Sequence, residues 1–391
     1  MTAVTDRSRS VLERFRTDCT GCGLCSRSCE ILMQLVVPPA ELAEQLVAGS
    51  RLAESMESAV QHCALCGLCS QSCPLDLNPG DLFQAAREVL MEQERTDPLA
   101  YRPMLVDQQA HFFSLYRQSW KIDFSDLEKL TGPTLFWPGC SLASFAPELT
   151  RAAHRWLQQQ EFEVGFSADC CGLPLHNIGL GQRGEQYLAR LAKQFAAKGV
   201  KQLITACPNC YYHFQNSLTD IKVSSLFTLM VEADLRLAGQ SGVTVHDSCP
   251  DRASGQIGQA LRTLLQGAEI VEMTHHGSET LCCGAGGIVS MVNPELSQAR
   301  AERRAAEITQ TGTETCVSAC MACVKRLQGT ANLSAVQAQQ CSEPARVVHI
   351  LELIFGIEID HDRLQQQLEL MWQGELGQRN LALLNGAGQE E

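Results

Sequence analysis

The residues of this chain that could do chemistry are its cysteines, twenty of them among 391 residues. Four stand at Cys19, Cys22, Cys25 and Cys29 in CTGCGLCSRSC, and four more at Cys63, Cys66, Cys69 and Cys73 in CALCGLCSQSCP. Two adjacent pairs follow, Cys170 and Cys171 in DCCGLP, and Cys282 and Cys283 in CCGAGG. Each pair is preceded by a single cysteine (Cys140, Cys249) and followed by a C-x2-C unit (Cys207 and Cys210, Cys320 and Cys323). Cys316 and Cys341 stand outside these sets. The stretch MTAVTDRSRSVLERFR is polar and has no apolar run of the kind a secretory signal needs, so the expected location is the cytoplasm. In a reducing compartment so many thiols argue for metal ligation and against a disulfide scaffold.

Spacing narrows the metal. Both early runs read C-x2-C-x2-C-x3-C, the pattern with which bacterial ferredoxins hold two cubane [4Fe–4S] clusters. Three close thiolates wrap one cube and the fourth, displaced by a turn, reaches the other. On that pattern Cys19, Cys22, Cys25 and Cys73 hold the first cubane, and Cys63, Cys66, Cys69 and Cys29 the second. A structural zinc site uses two C-x2-C pairs and would leave the third and fourth thiols of each run without a role. One departure is visible, Glu30 after Cys29 where the pattern has proline.

These ligands need elements to position them. Between the early runs, PAELAEQLVAG and RLAESMESAVQ carry helical apolar spacing, and GDLFQAAREVLMEQE does so after them. The expected first unit, residues 1–98, is therefore a helical two-cluster ferredoxin-like domain, followed by a proline-bearing, aromatic linker at 99–131. From Gly132 onward the pattern becomes α/β. TLFWPGC, KQLITACPNC, VTVHDSC and ETCVSAC are short β-rich runs that each end in a cysteine, and helical stretches such as GEQYLARLAKQFAAKG fall between them. This alternation implies parallel sheets covered by helices. The five-cysteine set recurs after about 110 residues, so two copies of one unit are expected, at 132–240 and 241–356, with a helical tail at 357–391. Ligands at strand ends are where open α/β sheets present their sites.

On the two ferredoxin runs together with GC, CCGLP and CPNC in one half and HDSC, CCGAGG and CMAC in the other, the chain resembles the CCG-domain iron–sulfur oxidoreductases. That family includes the catalytic subunit of heterodisulfide reductase and the iron–sulfur subunits of anaerobic glycerol-3-phosphate dehydrogenase and glycolate oxidase, and the resemblance spans residues 19 to about 356. It implies that each five-cysteine set binds a noncubane [4Fe–4S] cluster, up to two in all, with adjacent thiolates bridging or capping neighbouring irons. It also implies an α/β, duplicated CCG domain with pseudo-twofold symmetry behind a helical ferredoxin domain. Both five-cysteine sets are complete, which favours the disulfide-reducing branch. The Gly-Pro-Arg-Gly-Arg segment of the glycolate oxidase branch is replaced here by VVPPAELAEQL.

The expected function is thus an oxidoreductase subunit that relays electrons through the two cubes to the CCG clusters for disulfide or thiol chemistry. Cys140, Cys170, Cys171, Cys207, Cys210, Cys249, Cys282, Cys283, Cys320 and Cys323 are the catalytic candidates. The alternative is an electron-transfer subunit between a flavin dehydrogenase, of glycerol-3-phosphate, glycolate or lactate type, and menaquinone. Either reading requires a redox partner, a flavoprotein or a membrane electron carrier, and a disulfide/thiol or quinone as acceptor. GLGQRG at 179–184 matches G-x-G-x-x-G but follows CCGLPLHNI in place of a buried strand, so neither flavin nor NAD is expected in this chain.

The 31 Lys and Arg against 44 Asp and Glu, net −13, oppose nucleic acid binding. The basic run ARAERR at 299–304 reads as the solvated face of a helix. ILMQLVVPP is far too short to span a bilayer, so no transmembrane segment is expected and any membrane association, at the inner face, would pass through a partner. His176 and His246 are the histidines nearest the CCG sets in sequence, suited to donating a proton to a thiolate or to hydrogen-bonding a sulfide or loop carbonyl. Phe112, Phe113, Tyr116 and Trp120 form a stripe at helical spacing whose default reading is packing, and Cys316 and Cys341 read as small core residues.

Overall fold

The computed structural model describes residues 4–127, 132–160, 162–237, 239, 242–338 and 345–386; Cys341 lies outside them. The N-terminal part is helical, built on Asp6–Asp18, Pro39–Val47, Glu54–His62 and Pro79–Glu92. Their starts follow the capping rules: Thr5 accepts from the backbone N–H of Ser8 at 3.2 Å, Asn78 accepts from Gly80 at 3.0 Å, and Pro39 and Pro79 open their helices. Leu12, Phe15, Leu42, Leu46, Val60, Leu82 and Phe83 fill the space between them. Each cysteine run forms a short 3-10 turn, Leu24–Ser28 and Leu68–Ser72, entered through Gly23 (φ 73°) and Gly67 (φ 70°). A side chain with a Cβ is strained at that φ, and glycine lets the chain fold back so that the thiols of one run face inward.

Two parallel sheets follow. Strands β1 (Thr134–Trp137), β2 (Val164–Phe166), β3 (Gln202–Thr205) and β4 (Lys222–Ser225) run in the order β2-β1-β3-β4. Strands β5 (Val243–Val245), β6 (Thr315–Ser318) and β7 (Arg346–His349) run β5-β6-β7, and Ile270 forms an isolated parallel bridge with Val243 on the outer side of β5. The second sheet therefore repeats the strand order of the first with its outer strand reduced to one bridge. β1 and β5 are buried along their whole length, as expected of parallel strands with both faces covered. Phe136 and Ile204 of the first sheet and Val245, Val317 and Val348 of the second belong to one continuous core.

The aromatic stripe enters that same core. Phe113 and Tyr116 are buried on the Phe112–Ser119 helix, Tyr116 meets Phe145 edge-on at 5.1 Å, and Phe112 stacks on Trp372 at 6.4 Å. The C-terminal helices His361–Leu370 and Gly374–Leu384 close over it, with Tyr116 Oη donating to Gln367 Oε1 at 2.8 Å and Asn380 Nδ2 to Ser119 Oγ at 3.2 Å. No described helix is long and apolar enough to cross a membrane.

The basic run departs from its expected place in solvent. It lies on the Pro294–Gln310 helix, where Ala301, Ala305 and Ile308 mark the buried face. Arg304 falls on that face at helical spacing and is 0% exposed, its charge met by Glu307 at 2.6 Å. Arg300, with a side chain 11% exposed, pairs with Glu30 at 2.7 Å. The unusual Glu30 thus supplies a charge that ties the ferredoxin-like part to the second repeat; only Arg303 of the three arginines faces solvent.

Candidate metal centre

The eight early cysteines come together in two groups that cross between the runs. Cys19, Cys22, Cys25 and Cys73 line one cavity, floored by Phe15, Leu77 and Pro79. Cys29, Cys63, Cys66 and Cys69 line a second, whose wall also carries Arg300 and Cys282 from the second repeat. The crossing of Cys29 and Cys73 follows from the paired 3-10 turns packing against each other. Burial pushes the Cys63 thiol up to about 12, while a hydrogen bond with Cys282 brings Cys66 down to about 6 against the opposing effect of burial. Arg252 and Arg300 act on Cys66 in the same direction.

In the first repeat all five cysteines form one chain of contacts. Cys140 opens the Cys140–Phe145 helix just after β1, Cys170 and Cys171 follow β2, and Cys207 and Cys210 flank the start of the Pro208–Ser217 helix after β3. Cys170 contacts Cys140 and Cys171, Cys171 contacts Cys210, and Cys210 contacts Cys207. Hydrogen bonds with Cys170 and Cys210 lower Cys171; bonds with Cys140 and Cys171, then burial, raise Cys170, and bonds with Cys171 and Cys207, then burial, raise Cys210. Gly139 (φ 90°) permits the approach, since a Cβ there would sit 2.5 Å from Cys207 Cβ. His176 packs its ring against Gly184 and at 5.3 Å from the ring of His213, and burial holds it down to about 4.

The second repeat is arranged differently. Cys283 Sγ and Cys323 Sγ are 3.0 Å apart, Cys323 contacts Cys320, and the half-buried Cys249 lies near Cys283, Cys66 and Cys320. Contact with Cys323, then a hydrogen bond from His246, brings Cys283 down to about 5 against burial. Cys282 turns away toward Cys66 of the ferredoxin-like part. Cys316 sits on β6, 0% exposed in the core.

The donor chemistry suits iron–sulfur clusters. No described cysteine is in a disulfide. Within a group the thiols cannot all ionise without a counter-charge, because one thiolate raises its neighbours; a cation of soft character that takes thiolate ligands removes that conflict.

The loops that bring Cys282 to Cys66 depend on glycine. A Cβ on Gly287 (φ 59°) would lie 2.5 Å from the carbonyl carbon of Ala64 and 2.6 Å from the Cys63 oxygen, and one on Gly286 would lie 2.9 Å from the Ala64 oxygen. The glycine-rich turn after the pair is therefore the surface on which the second repeat seats against the second ferredoxin-type run. Arg252 fastens it, donating from Nε to Cys66 O at 3.1 Å, from Nη2 to Thr280 O at 2.7 Å and from Nη1 to Ser278 O. Arg87, 0% exposed, uses all its donors on carbonyls: Val60, Gln61 and Cys63 on its own side, Asn177 of the first repeat and Gly287 of the second. The glycines of GLGQRG have an equivalent use. Gly179 lies against the Arg87 backbone, Gly181 against Glu88 and Gly184 against His176, so the motif serves close packing onto the Pro79–Glu92 helix.

Four arginines, 87, 252, 300 and 304, thus hold the site; in the sequence Arg300 and Arg304 stand out only as part of a basic run that reads as a solvated face, and Arg87 and Arg252 do not stand out at all. Arg87 lies on a helix buried on nearly every side and Arg304 on the buried face of its helix, positions that the packed neighbours define and the local pattern does not.

Two domain families match the chain. A cysteine-rich domain (CCG) matches residues 134–215 and again 243–328, and a 4Fe-4S dicluster domain matches 16–77. The chain is 24% identical to a subunit of the fumarate reductase (CoM/CoB) of Methanothermobacter marburgensis, over 56% of this chain and 45% of that protein, so it spans less than half of that relative's length. It is also 24% identical to lactate utilization protein A of Oceanobacillus iheyensis, over 51% of this chain and 86% of that one. A solved structure of a hypothetical protein from Helicobacter pylori aligns over 94% of this chain and 75% of its own with a TM-score of 0.49 and 9% identity.

Proposed function

For a chain that belongs to the cysteine-rich-domain (CCG) iron–sulfur proteins and carries a 4Fe-4S dicluster domain, we propose the role of an oxidoreductase subunit that carries electrons between a redox partner and a disulfide/thiol substrate. Cys19, Cys22, Cys25 and Cys73 would hold one cubane, Cys63, Cys66, Cys69 and Cys29 the other, and the two five-cysteine sets up to two noncubane clusters. Bound there, such clusters supply one-electron carriers at potentials set by their thiolates and surroundings. The observation that carries the reading is the contact of Cys66 with Cys282, which puts a ferredoxin-type thiol against a CCG thiol with no intervening element.

The direction of assembly follows from that contact. Cys282 is peptide-linked to Cys283, so the adjacent pair connects the ferredoxin-like side to the Cys283 and Cys323 site through one bond of backbone. Arg252, Arg300 and Arg87 tie this junction together across the two parts. Substrate chemistry then belongs to the CCG cysteines, with the disulfide placed between the two repeats about a pseudo-twofold relation. Its S–S bond breaks as each sulfur takes one electron, supplied by the redox partner, and one proton from solvent.

A second reading is electron relay without bond cleavage, from a flavin dehydrogenase partner toward a quinone. What favours it is coverage: the chain matches most of the length of a protein named for lactate utilization and less than half of the fumarate reductase subunit. One experiment separates the two. Anaerobically purified protein should carry on the order of 16 irons, whereas about eight would remove the CCG clusters from the account. Candidate thiols and disulfides are then titrated while low-temperature paramagnetic spectra are recorded. Disulfide chemistry predicts altered CCG signals with unchanged cubane signals. Perturbation by a quinone analogue alone, in the assembled complex, selects the relay.

A further inference from the structure

The second repeat contains a buried hydrogen-bond chain ending at sulfur. Its inner member is His246, 1% exposed, directly after β5. Arg304 donates from Nε to His246 Nδ1 at 2.9 Å, from Nη1 to Glu307 Oε2 and His275 O, each at 2.6 Å, and from Nη2 to Thr280 Oγ1 at 3.3 Å. The other Glu307 oxygen meets Nδ1 of His275, whose side chain is 40% exposed. The chain therefore runs from the surface to the His246 ring and neutralises the arginine on the way.

Arginine has no acceptor and stays protonated, so the nitrogen it faces must offer a lone pair. His246 Nδ1 is thereby fixed as the acceptor, and the ring proton is left on Nε2. A His246 ring nitrogen, Cys283 Sγ and Cys323 Sγ all lie within 4.8 Å of one another, and with Nδ1 taken by Arg304 the nitrogen left to donate to sulfur is Nε2. A histidine that ligates a metal through one nitrogen carries an N–H on the other, donated outward to a carboxylate or carbonyl. Here the outward nitrogen receives a donor instead, which is incompatible with neutral-imidazole ligation through Nε2. The position three residues before the leading cysteine of the first repeat is Trp137, set edge-on against Phe195 and Phe214, so the arrangement belongs to the second repeat.

We propose that Arg304 locks His246 as an Nε2–H donor to the Cys283 sulfur, so that His246 is a positioning residue that raises the reduction potential of the cluster held by the second repeat and not one of its ligands. The physical reason is that a hydrogen bond to a ligating sulfur stabilises the more negative, reduced state over the oxidised one. This rests on the reading that the second five-cysteine set holds a cluster.

The test uses the full-length protein purified anaerobically, with its His246→Leu and His246→Gln variants. Iron content is measured, and each protein is titrated potentiometrically with paramagnetic resonance detection; the second-repeat signal is identified by its loss in Cys283→Ser. The Leu variant is expected to keep its iron, to lose an exchangeable-proton coupling at that signal, and to shift it to lower potential by about tenfold in the one-electron equilibrium constant, about 59 mV. Glutamine can accept from Arg304 through its carbonyl and donate through its amide, so His246→Gln is expected to restore the coupling and most of the potential. An unshifted potential in the Leu variant overturns the proposal. So does a strongly coupled nitrogen in the unaltered protein, or loss of one cluster's iron in both variants, since either marks His246 as a ligand. If the unaltered protein shows cubane signals alone and about eight irons, the functional reading fails and the lock with it. Second-repeat signals that are present but unmoved by His246→Leu overturn the lock alone.

Discussion

Cys283 and Cys316 are both buried in the same hydrophobic surroundings, yet only one of them meets other sulfurs within reach of a shared ion. Cys316 lies in the middle of β6 and burial raises its thiol to about 12, the behaviour of a small apolar side chain. Cys283→Ser is expected to remove the iron of one CCG cluster and leave the cubane signals intact, while Cys316→Ser keeps the full iron content and loses about 1–2 kcal/mol of stability from a buried hydroxyl. Iron analysis with thermal unfolding checks both; the reverse pattern would reassign the ligands. His349 gives a pH dependence at the same scale. Its ring bonds Ala319 O through Nε2 at 3.0 Å and accepts from the Leu351 N–H at 3.3 Å, and burial lowers its pKa to about 4. The folded value lies below the unfolded one, so the unfolded chain binds the extra proton first and stability is lost as pH falls from about 6.5 toward 4, at about 1.4 kcal/mol per unit. His349→Gln should therefore be less stable than the unaltered protein at pH 7.5, with the gap closing by pH 5 in parallel unfolding curves. At this scale the cysteines were legible in the sequence, and so was His246 as a histidine close to a CCG set; the Ala319 partner of His349 was not, because a contact with a residue far along the chain has no local signature.

At the scale of elements, spacing carried further. The strands that lead into Cys140, Cys207, Cys249 and Cys320 and the helices between them stand where apolar periodicity put them, because a parallel strand buried on both faces reads as a short, nearly continuous apolar run. The helix at 294–310 shows the limit. Its alanines and arginines fit a solvated face equally well until the neighbour is known, and only the packed structure turns Arg304 inward. The glycine-rich turn after Cys283 is the element with the sharpest consequence. Gly287→Ala places a methyl against the Cys63 and Ala64 backbone, so it should loosen the seat of the second repeat and raise hydrogen exchange at residues 61–66. Gly312→Ala has a similar φ of 68° and open space around it, and should cost only the backbone strain, about 1–2 kcal/mol. Equal effects from the two substitutions would show that the turn is a conformational need and not a docking surface.

For the whole molecule the joint is Arg87, where one guanidinium binds carbonyls of the helical part and of both repeats. Arg87→Lys keeps the charge and loses the planar fork, leaving at least two of the five carbonyls without a donor. We expect the lysine variant to lose several kcal/mol, in the range of a broken buried charged network, and to release the N-terminal region to limited proteolysis. Retention of unaltered stability and protease resistance would mean that the apolar contacts between the parts suffice without it.

The sequence by itself determined the ligand types, their grouping into two ferredoxin runs and two five-cysteine sets, and the alternation of strands and helices that carries the latter. These are local or periodic properties, readable because the chemistry demands cysteines at fixed separations and the sheet demands buried strands at fixed intervals. The tertiary structure alone decided that the two five-cysteine sets differ, the first closed on itself and the second opened toward Cys66, and that GLGQRG and the basic run are packing surfaces. Those facts depend on which backbone lies opposite a glycine or an arginine, a relation between segments 24 to 200 residues apart that no periodicity encodes.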